Sequence, residues 1–298
     1  MAVLLKGKPV ADAINEKTRA AAEALRDRGI VPTLAIVRVG EREDDLSYER
    51  GACKRCASVG VETRVCALPA DVDAEVFYQT LQSLNTDAGV HGILMMRPLP
   101  EQIDEKKACE MLLPEKDVDG CTSSSMAGVF MNSGVGFAPC TAQAVVEMLD
   151  YYAISPKGKH AVILGRSLVI GRPAAMLLMH RQATPTICHT RTLAAAKLAQ
   201  EADILVVSTG QMESVGRDYL KAGQVVIDVG IHWNAKKEKL CGDVLTEEAE
   251  DIVTAISPVP GGVGSVTTSV LAAHVIEAAC GFTGVIASPE SERCLRRM

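Results

Sequence analysis

Between Ala161 and Pro173 the chain reads AVILGRSLVIGRP: a short apolar run, a glycine-bounded turn, then helical spacing. A parallel strand hands the pyrophosphate of a dinucleotide to a helix N-terminus in this way, so the stretch restricts its surroundings to an α/β unit. The alternation on both sides agrees. Downstream the pattern predicts strands over 160–164, 184–188, 203–207 and 224–229, helices over 171–181 and 192–200, and a short apolar run near 253–256. Upstream it predicts helices over 11–28, 47–58, 74–84 and 103–113, with strands over 33–39, 61–68 and 89–95. Strands separated by helices of this length mean βαβ units and parallel sheets. At 298 residues the chain exceeds one ordinary domain, and a glycine-containing loop over 132–139 supplies a hinge. The expected fold is α/β with two domains, each a parallel sheet flanked by helices, the second of Rossmann type. The first takes residues 1–140 and is completed by a C-terminal segment, 267–298, whose start is a strongly apolar helix. The second takes 141–266. The polar end, 288–298, reads as loose.

Composition removes several classes of function. A net charge of −6 and only 3% aromatic residues argue against a nucleic-acid surface, which needs cations and stacking rings. No apolar run is long enough to span a bilayer, and the N-terminus lacks a secretory apolar region, so a cytoplasmic protein is expected. The 10 cysteines are dispersed through apolar runs, and Cys53 to Cys56 form a single CxxC inside a helical pattern. With no second pair to complete a zinc site, they read as reduced thiols and no metal is expected.

The turn after Leu164 is G-R-S-x-x-x-G, with Gly165 and Gly171 as its brackets, and meets half of the general G-x-G-x-x-G pattern. In an NAD-preferring domain a carboxylate ends the second strand to hold the ribose hydroxyls. Here TPTICH runs instead into Thr190, Arg191 and Thr192. Arg191, with Arg166, suits a 2′-phosphate, so NADP is expected over NAD.

Together these residues resemble the methylenetetrahydrofolate dehydrogenase/cyclohydrolase family. The matching segments run in order through nearly the whole chain: LKGKPVADAI, the helix of Tyr48, GILMMRPLP, LLPEKDVDG, PCTAQ, VILGRSLVIGRPAAMLL, TICHTRT, ADILVVSTG, VVIDVGIHW, CGDV and SPVPGGVGSVTT. The resemblance implies interconversion of methylene- and methenyl-tetrahydrofolate with NAD(P), and in many members hydrolysis of the methenyl form. It also implies a folate cleft between two α/β domains, the first being the folate-binding catalytic one, and a homodimer. Carried over by position, Tyr48 stacks against the folate and Asp119 hydrogen-bonds the pterin, which makes them the expected catalytic and substrate-binding pair. Pro260, Gly261 and Gly262 would close over the substrate. Gly165, Arg166, Ser167, Thr190 and Ile231 fall at cofactor-contact positions.

Two departures fall on this site. In the family pattern a lysine follows the tyrosine by four residues; here that position is Ala52. The glutamine that contacts this lysine, in GILVQLPLP, is replaced by Met96 in GILMMRPLP. Lys54 lies two residues beyond Ala52, about 200° further round a helix, and faces away. Hydride removal from a carbon between two nitrogens requires positioning and no proton transfer, whereas hydrolysis requires a general acid–base group. The expectation is a dehydrogenase whose cyclohydrolase activity is lost or very weak. The rivals are a bifunctional enzyme in which Lys54 or Arg97 supplies the missing charge, and an NADP- and folate-binding protein without turnover. Smaller departures are Ser265 where the family has proline, and Cys121-Thr122-Ser123 where an aromatic residue and histidine often follow the Asp119-Gly120 pair.

Overall fold

In the computed structural model residues 1–282 are described; the end of the segment read as 267–298, with the polar stretch 288–298, lies outside them. In chain order the elements of the first half are β1 (Val3–Leu4), α1 (Gly7–Arg26), β2 (Thr33–Val39), α2 (Glu43–Ser58), β3 (Glu62–Leu68), α3 (Ala74–Thr86), β4 (Gly92–Met95), α4 (Glu105–Met111) and α5 (Ser123–Met131). The second half holds α6 (Cys140–Tyr151), β5 (His160–Leu164), α7 (Gly171–His180), β6 (Thr184–Cys188), α8 (Ala195–Glu201), β7 (Ile204–Val207) and β8 (Val225–Asp228). These are followed by β9 (His232–Asn234), β10 (Lys239–Cys241), α9 (Thr246–Ala249), β11 (Ala255–Ile256) and α10 (Gly264–Phe282).

The chain divides into two compact units, Met1–Asp12 with Thr141–Thr267, and Ala13–Cys140 with the residues from Thr268 on. The division between the main bodies falls between Cys140 and Thr141. The start of the chain differs. Val3 and Leu4 pair in parallel with Ala255 and Ile256, so the first strand joins the nucleotide-type unit rather than the one that follows it in sequence. A two-residue strand whose partner lies some 250 residues away leaves no local signature.

In the Ala13–Cys140 unit a three-stranded parallel sheet has the order β3-β2-β4. Every residue of β2 is buried, as an apolar run covered on both faces requires. Ala35, Val37 and Val39 face a core with Phe77, Leu81, Ile93 and Leu112. The stretch 116–118 runs against β4: the Ile93 N–H donates to the Lys116 carbonyl at 2.7 Å, and a Cβ at Gly92 would stand 2.7 Å from Val118. That close approach seats the KDVDG segment against the first residues of β4.

The other unit has six parallel strands in the order β1-β11-β8-β7-β5-β6. β5 pairs with β6 on one side and β7 on the other, so the chain reverses direction across the sheet at β5. The carboxyl ends there form the crevice in which such sheets bind ligands. The core is Val162, Leu164, Leu205, Val207, Val226 and Ile256 with the helices above them. The α5 helix and the β9–β10 hairpin were not among the expected elements. No helix of the described residues is long and apolar enough to cross a membrane.

Candidate functional site

At the carboxyl ends of β5, β6 and β7 lies a cavity of about 440 Å³. Gly165, Arg166 and Ser167 wall it from the first turn, His189 and Thr190 from the second, and Ser208, Thr209 and Gln211 from the third. Gly165 has φ +134°, and a Cβ there would stand 2.3 Å from the Ser208 carbonyl oxygen, so only glycine lets these two turns approach. A Cβ at Gly171 would meet the Gly165 carbonyl oxygen at 2.2 Å. Gly171 thus closes the turn from behind and does not line the cavity. Ser167 works in two directions. Its hydroxyl oxygen accepts from the N–H groups of Ile170 at 3.1 Å and Gly171 at 3.5 Å, and its carbonyl accepts from Arg172. The first amides of α7 are therefore already bonded, and the glycine–arginine–serine turn is the part of the loop that faces the cavity. Of the expected cofactor residues, Gly165, Arg166, Ser167 and Thr190 come together here, whereas Arg191 and Ile231 are exposed and not part of the wall. The turn after β7 was missed as a cofactor element, although its STG run was visible. Asp243 fixes it: the carboxylate accepts from the Thr209 and Gly210 N–H groups at 2.6 and 3.0 Å and from His232 Nε2 at 2.7 Å. A glycine cradle that any Cβ would fill, open at a switch point and bordered by an arginine, fits a dinucleotide phosphate.

The Pro260–Gly262 loop belongs to the same unit. Gly261 has φ +97°, and its carbonyl accepts the Gly7 N–H at 2.7 Å. A Cβ at Gly7 would stand 2.0 Å from the Gly262 oxygen, so the loop is seated on the start of α1 by backbone contact.

In the Ala13–Cys140 unit, Tyr48 on α2 and Asp119 are neighbours, and the Asp119 charge acts on the phenol. The two aspartates of D-V-D-G divide their work. Asp117 is fully buried and bonded, accepting from the N–H groups of Cys121 and Thr122 at 2.9 and 2.8 Å and from the Ser125 hydroxyl at 2.6 Å. It holds the turn into α5. Asp119 receives a long bond of 3.4 Å from the Cys140 N–H and is half-buried. Burial raises its pKa, with Cys140 and the Arg97 guanidinium acting against the rise. Burial, then the Asp119 and Cys140 charges, also raises the Tyr48 pKa well above a free phenol, so the hydroxyl remains a donor at neutral pH. One turn along α2, Ala52 is fully buried; Met96 at the end of β4 is 6% exposed, and Lys54 is exposed. Arg97 lies 3.8 Å from Glu105, with Cys121, Cys109 and Asp119 also near. Burial opposes its charge, but these neighbours outweigh burial and hold its pKa above the ordinary value. Cys140 was not among the expected site residues, and Arg97 entered only in the bifunctional reading, as a supplier of the missing charge; the PCTAQ segment carried the signal for Cys140.

Two family models cover the chain: the tetrahydrofolate dehydrogenase/cyclohydrolase catalytic domain over residues 5–119, and the NAD(P)-binding domain of the same family over residues 139–282. The chain belongs to the tetrahydrofolate dehydrogenase/cyclohydrolase family. It is 49% identical to the bifunctional protein FolD of Carboxydothermus hydrogenoformans over 96% of this chain and 100% of that one. It is 47% identical to FolD of Alkaliphilus oremlandii over 93% and 97%. Among solved structures it is similar to the bifunctional methylenetetrahydrofolate dehydrogenase/cyclohydrolase of Campylobacter jejuni (33% identity, TM-score 0.91, covering 94% of this chain and 99% of that one). A second is the Trypanosoma brucei enzyme complexed with NADP cofactor and inhibitor (33% identity, TM-score 0.88, covering 96% and 99%). The cavity beside Gly165 therefore lies in the family's NAD(P)-binding domain, and Tyr48 and Asp119 lie in its catalytic domain.

Proposed function

We propose that this chain is a methylenetetrahydrofolate dehydrogenase that prefers NADP, works as a cytoplasmic homodimer, and has lost or nearly lost the hydrolysis of methenyl-tetrahydrofolate. The observation that carries the reading is the burial of two apolar residues, Ala52 with no exposure and Met96 with 6%, at the two positions where the family pattern has lysine and glutamine. Tyr48 and Asp119 are retained, the phenol as a donor and the carboxyl held by a long bond from the Cys140 N–H. Bound in the cavity beside Gly165, nicotinamide would accept the hydride; Arg166 and Thr190 would hold its adenosine phosphates, with Arg191 close behind in sequence. Expelling that hydride asks the protein for orientation and no proton transfer, and Tyr48 and Asp119 are the residues proposed to orient the folate. Hydrolysis asks for a group that exchanges a proton near neutral pH. Lys54 is on the solvent side of α2, and Arg97, held charged by Glu105 and Asp119, cannot release one.

The relatives' name, bifunctional, supports the second reading, in which Arg97 stabilises charge during hydrolysis and both steps survive. A paired assay decides. Methylene-tetrahydrofolate is oxidised with NADP or NAD, and methenyl-tetrahydrofolate is separately followed for decay above the uncatalysed rate. Dehydrogenation should be faster with NADP, with methenyl product accumulating. Ala52→Lys with Met96→Gln should raise hydrolysis by about 10²–10⁴-fold, the usual worth of general acid–base catalysis. Hydrolysis keeping pace in the unaltered protein refutes the specialised reading.

A further inference from the structure

Thr209, Gln211 and Ser214 wall the cofactor cavity from a loop over 209–215. The loop is bonded within itself: Thr209 Oγ1 accepts the Gln211 N–H at 3.1 Å and lies 3.0 Å from Ser214 Oγ. Both of its ends rest on one residue behind the wall. Asp243 accepts the Thr209 and Gly210 N–H groups through Oδ2, and its carbonyl accepts the Val215 N–H at 3.0 Å. Asp243 is wholly buried, and its backbone is seated by Asp228, which accepts the N–H groups of Asp243 and Val244 at 3.1 and 3.0 Å. The other carboxylate oxygen, Oδ1, faces the β9–β10 hairpin. His232, half-buried on β9, lies 2.7 Å from it through Nε2. A carboxylate only accepts, so Nε2 carries the hydrogen. Gly230 leaves the carboxylate its space, because a Cβ there would stand 2.2 Å from Oδ1. A charge taken out of water has to be hydrogen-bonded. Two loop amides bond one oxygen and the imidazole the other, so the direction in which the carboxylate points depends on His232.

We propose that His232 is a positioning residue for the dinucleotide: by donating to Asp243 it fixes how the 209–215 loop meets the cofactor, and so sets the affinity of the cavity for NADP. The proposal rests on the reading of the cavity beside Gly165 as the dinucleotide site. His232 stands outside the wall and acts through the carboxylate. What the imidazole supplies is an N–H at the far end of a planar side chain. Glutamine carries an amide nitrogen at similar reach and can donate the same bond. Leucine and alanine cannot, and a buried charged acceptor deprived of a donor is the costly case. The carboxylate then turns toward another donor, and the Thr209 and Gly210 amides lose their fixed acceptor. The wall of the cavity loosens although none of its own residues has changed.

The test compares the unaltered full chain with His232→Leu and His232→Gln, by calorimetric titration with NADP and by steady-state kinetics. His232→Leu should bind NADP about tenfold more weakly, the usual worth of a hydrogen bond to a charged group, and His232→Gln should bind like the unaltered protein. In turnover the KM for NADP should rise in His232→Leu while the KM for methylene-tetrahydrofolate stays put, a split that a general loss of packing would not give. Should His232→Leu fail to fold, His232→Ala makes no demand on space and is read in the same way. Equal affinity in His232→Leu and the unaltered chain overturns the proposal, and so does a His232→Gln variant as weak as His232→Leu, since the donor would then not be what matters. Failure of the unaltered protein to bind either NADP or NAD would overturn the reading of the cavity, and this proposal with it; equal binding overturns the proposal alone.

Discussion

His274→Asn isolates one buried proton site and its effect on stability. His274, on α10, lies 2.9 Å from the Val118 carbonyl through Nδ1, 3.7 Å from Cys140 Sγ, and stacks on Phe137 at 4.9 Å. A carbonyl only accepts, so Nδ1 carries the hydrogen and the ring is neutral with Nε2 bare. Burial brings its pKa down from 6.5 to about 4, although the Val118 carbonyl and Asp117 act in the other direction. A base with a folded pKa below its unfolded value binds fewer protons when folded, so the stability it contributes is present above pH 6.5 and lost as pH falls toward 4. At about 1.36 kcal/mol per pH unit the full window is worth about 3 kcal/mol, and roughly 2 kcal/mol of it disappears between pH 7 and pH 5. Asparagine places an amide nitrogen where Nδ1 stands, keeps the bond to Val118 and removes the titration. Denaturant-dependent hydrogen exchange of peptides within 268–281 should be compared for the two proteins at pH 7 and pH 5. The difference between them is the quantity to read, because burial raises the carboxyls of Asp119 and Glu277 in the same unit and gives them the opposite slope. The unaltered protein should lose about 2 kcal/mol relative to the variant over this range. Equal losses in both would show that the folded and unfolded pKa values of His274 are the same, and the account of its burial would fail.

The Met1–Asp12 and Thr141–Thr267 unit should carry the reverse dependence. Burial raises the Asp228 pKa from 3.8 to about 7, despite N–H groups from Val244, Asp243 and Gly230, so its stabilising contribution is present below pH 3.8 and lost as pH rises through 7. Relative to Asp228→Asn, the unaltered chain should lose about 2–3 kcal/mol between pH 5 and pH 8, read by exchange in β8 peptides; a flat difference rejects the shift. Gly165→Ala places a methyl group 2.3 Å from the Ser208 oxygen at a φ of +134°, a strain of about 1–3 kcal/mol before any loss of fit. Calorimetric titration should find NADP binding at least about tenfold weaker, and unchanged affinity would remove the Gly165 turn from the cofactor site.

The elements that were legible in the sequence are those whose stability is local or whose burial is complete. β2 and β5 fall within the ranges expected from apolar β-branched runs, because a strand buried along its length keeps a mostly apolar sequence. α5 was missed for the opposite reason: SSSMAGVFM is small and polar at its start, and its N-terminus depends on the Thr122 hydroxyl accepting the Ser125 N–H. α1 begins four residues before the expected Ala11 because Pro9 sits in its first turn, where proline does not need an N–H partner.

At the sites, residue identity was legible and division of labour was not. KDVDG offers two aspartates at equivalent spacing; packing assigns Asp117 to the backbone of the turn and gives Asp119 a long bond from the Cys140 N–H. The same holds for Ser167, which a motif reads as a phosphate contact and which the fold also uses to cap α7. It holds again for Ala52. A pattern shows only that lysine is missing. Complete burial shows that α2 now packs tightly where a charged side chain would need room, so restoring the lysine alone should cost stability through overpacking, about 1–3 kcal/mol, and the paired change at Met96 is the one expected to recover it. Hydrolysis restored by Ala52→Lys without Met96→Gln would mean that the space was there already, and that the two replacements were independent.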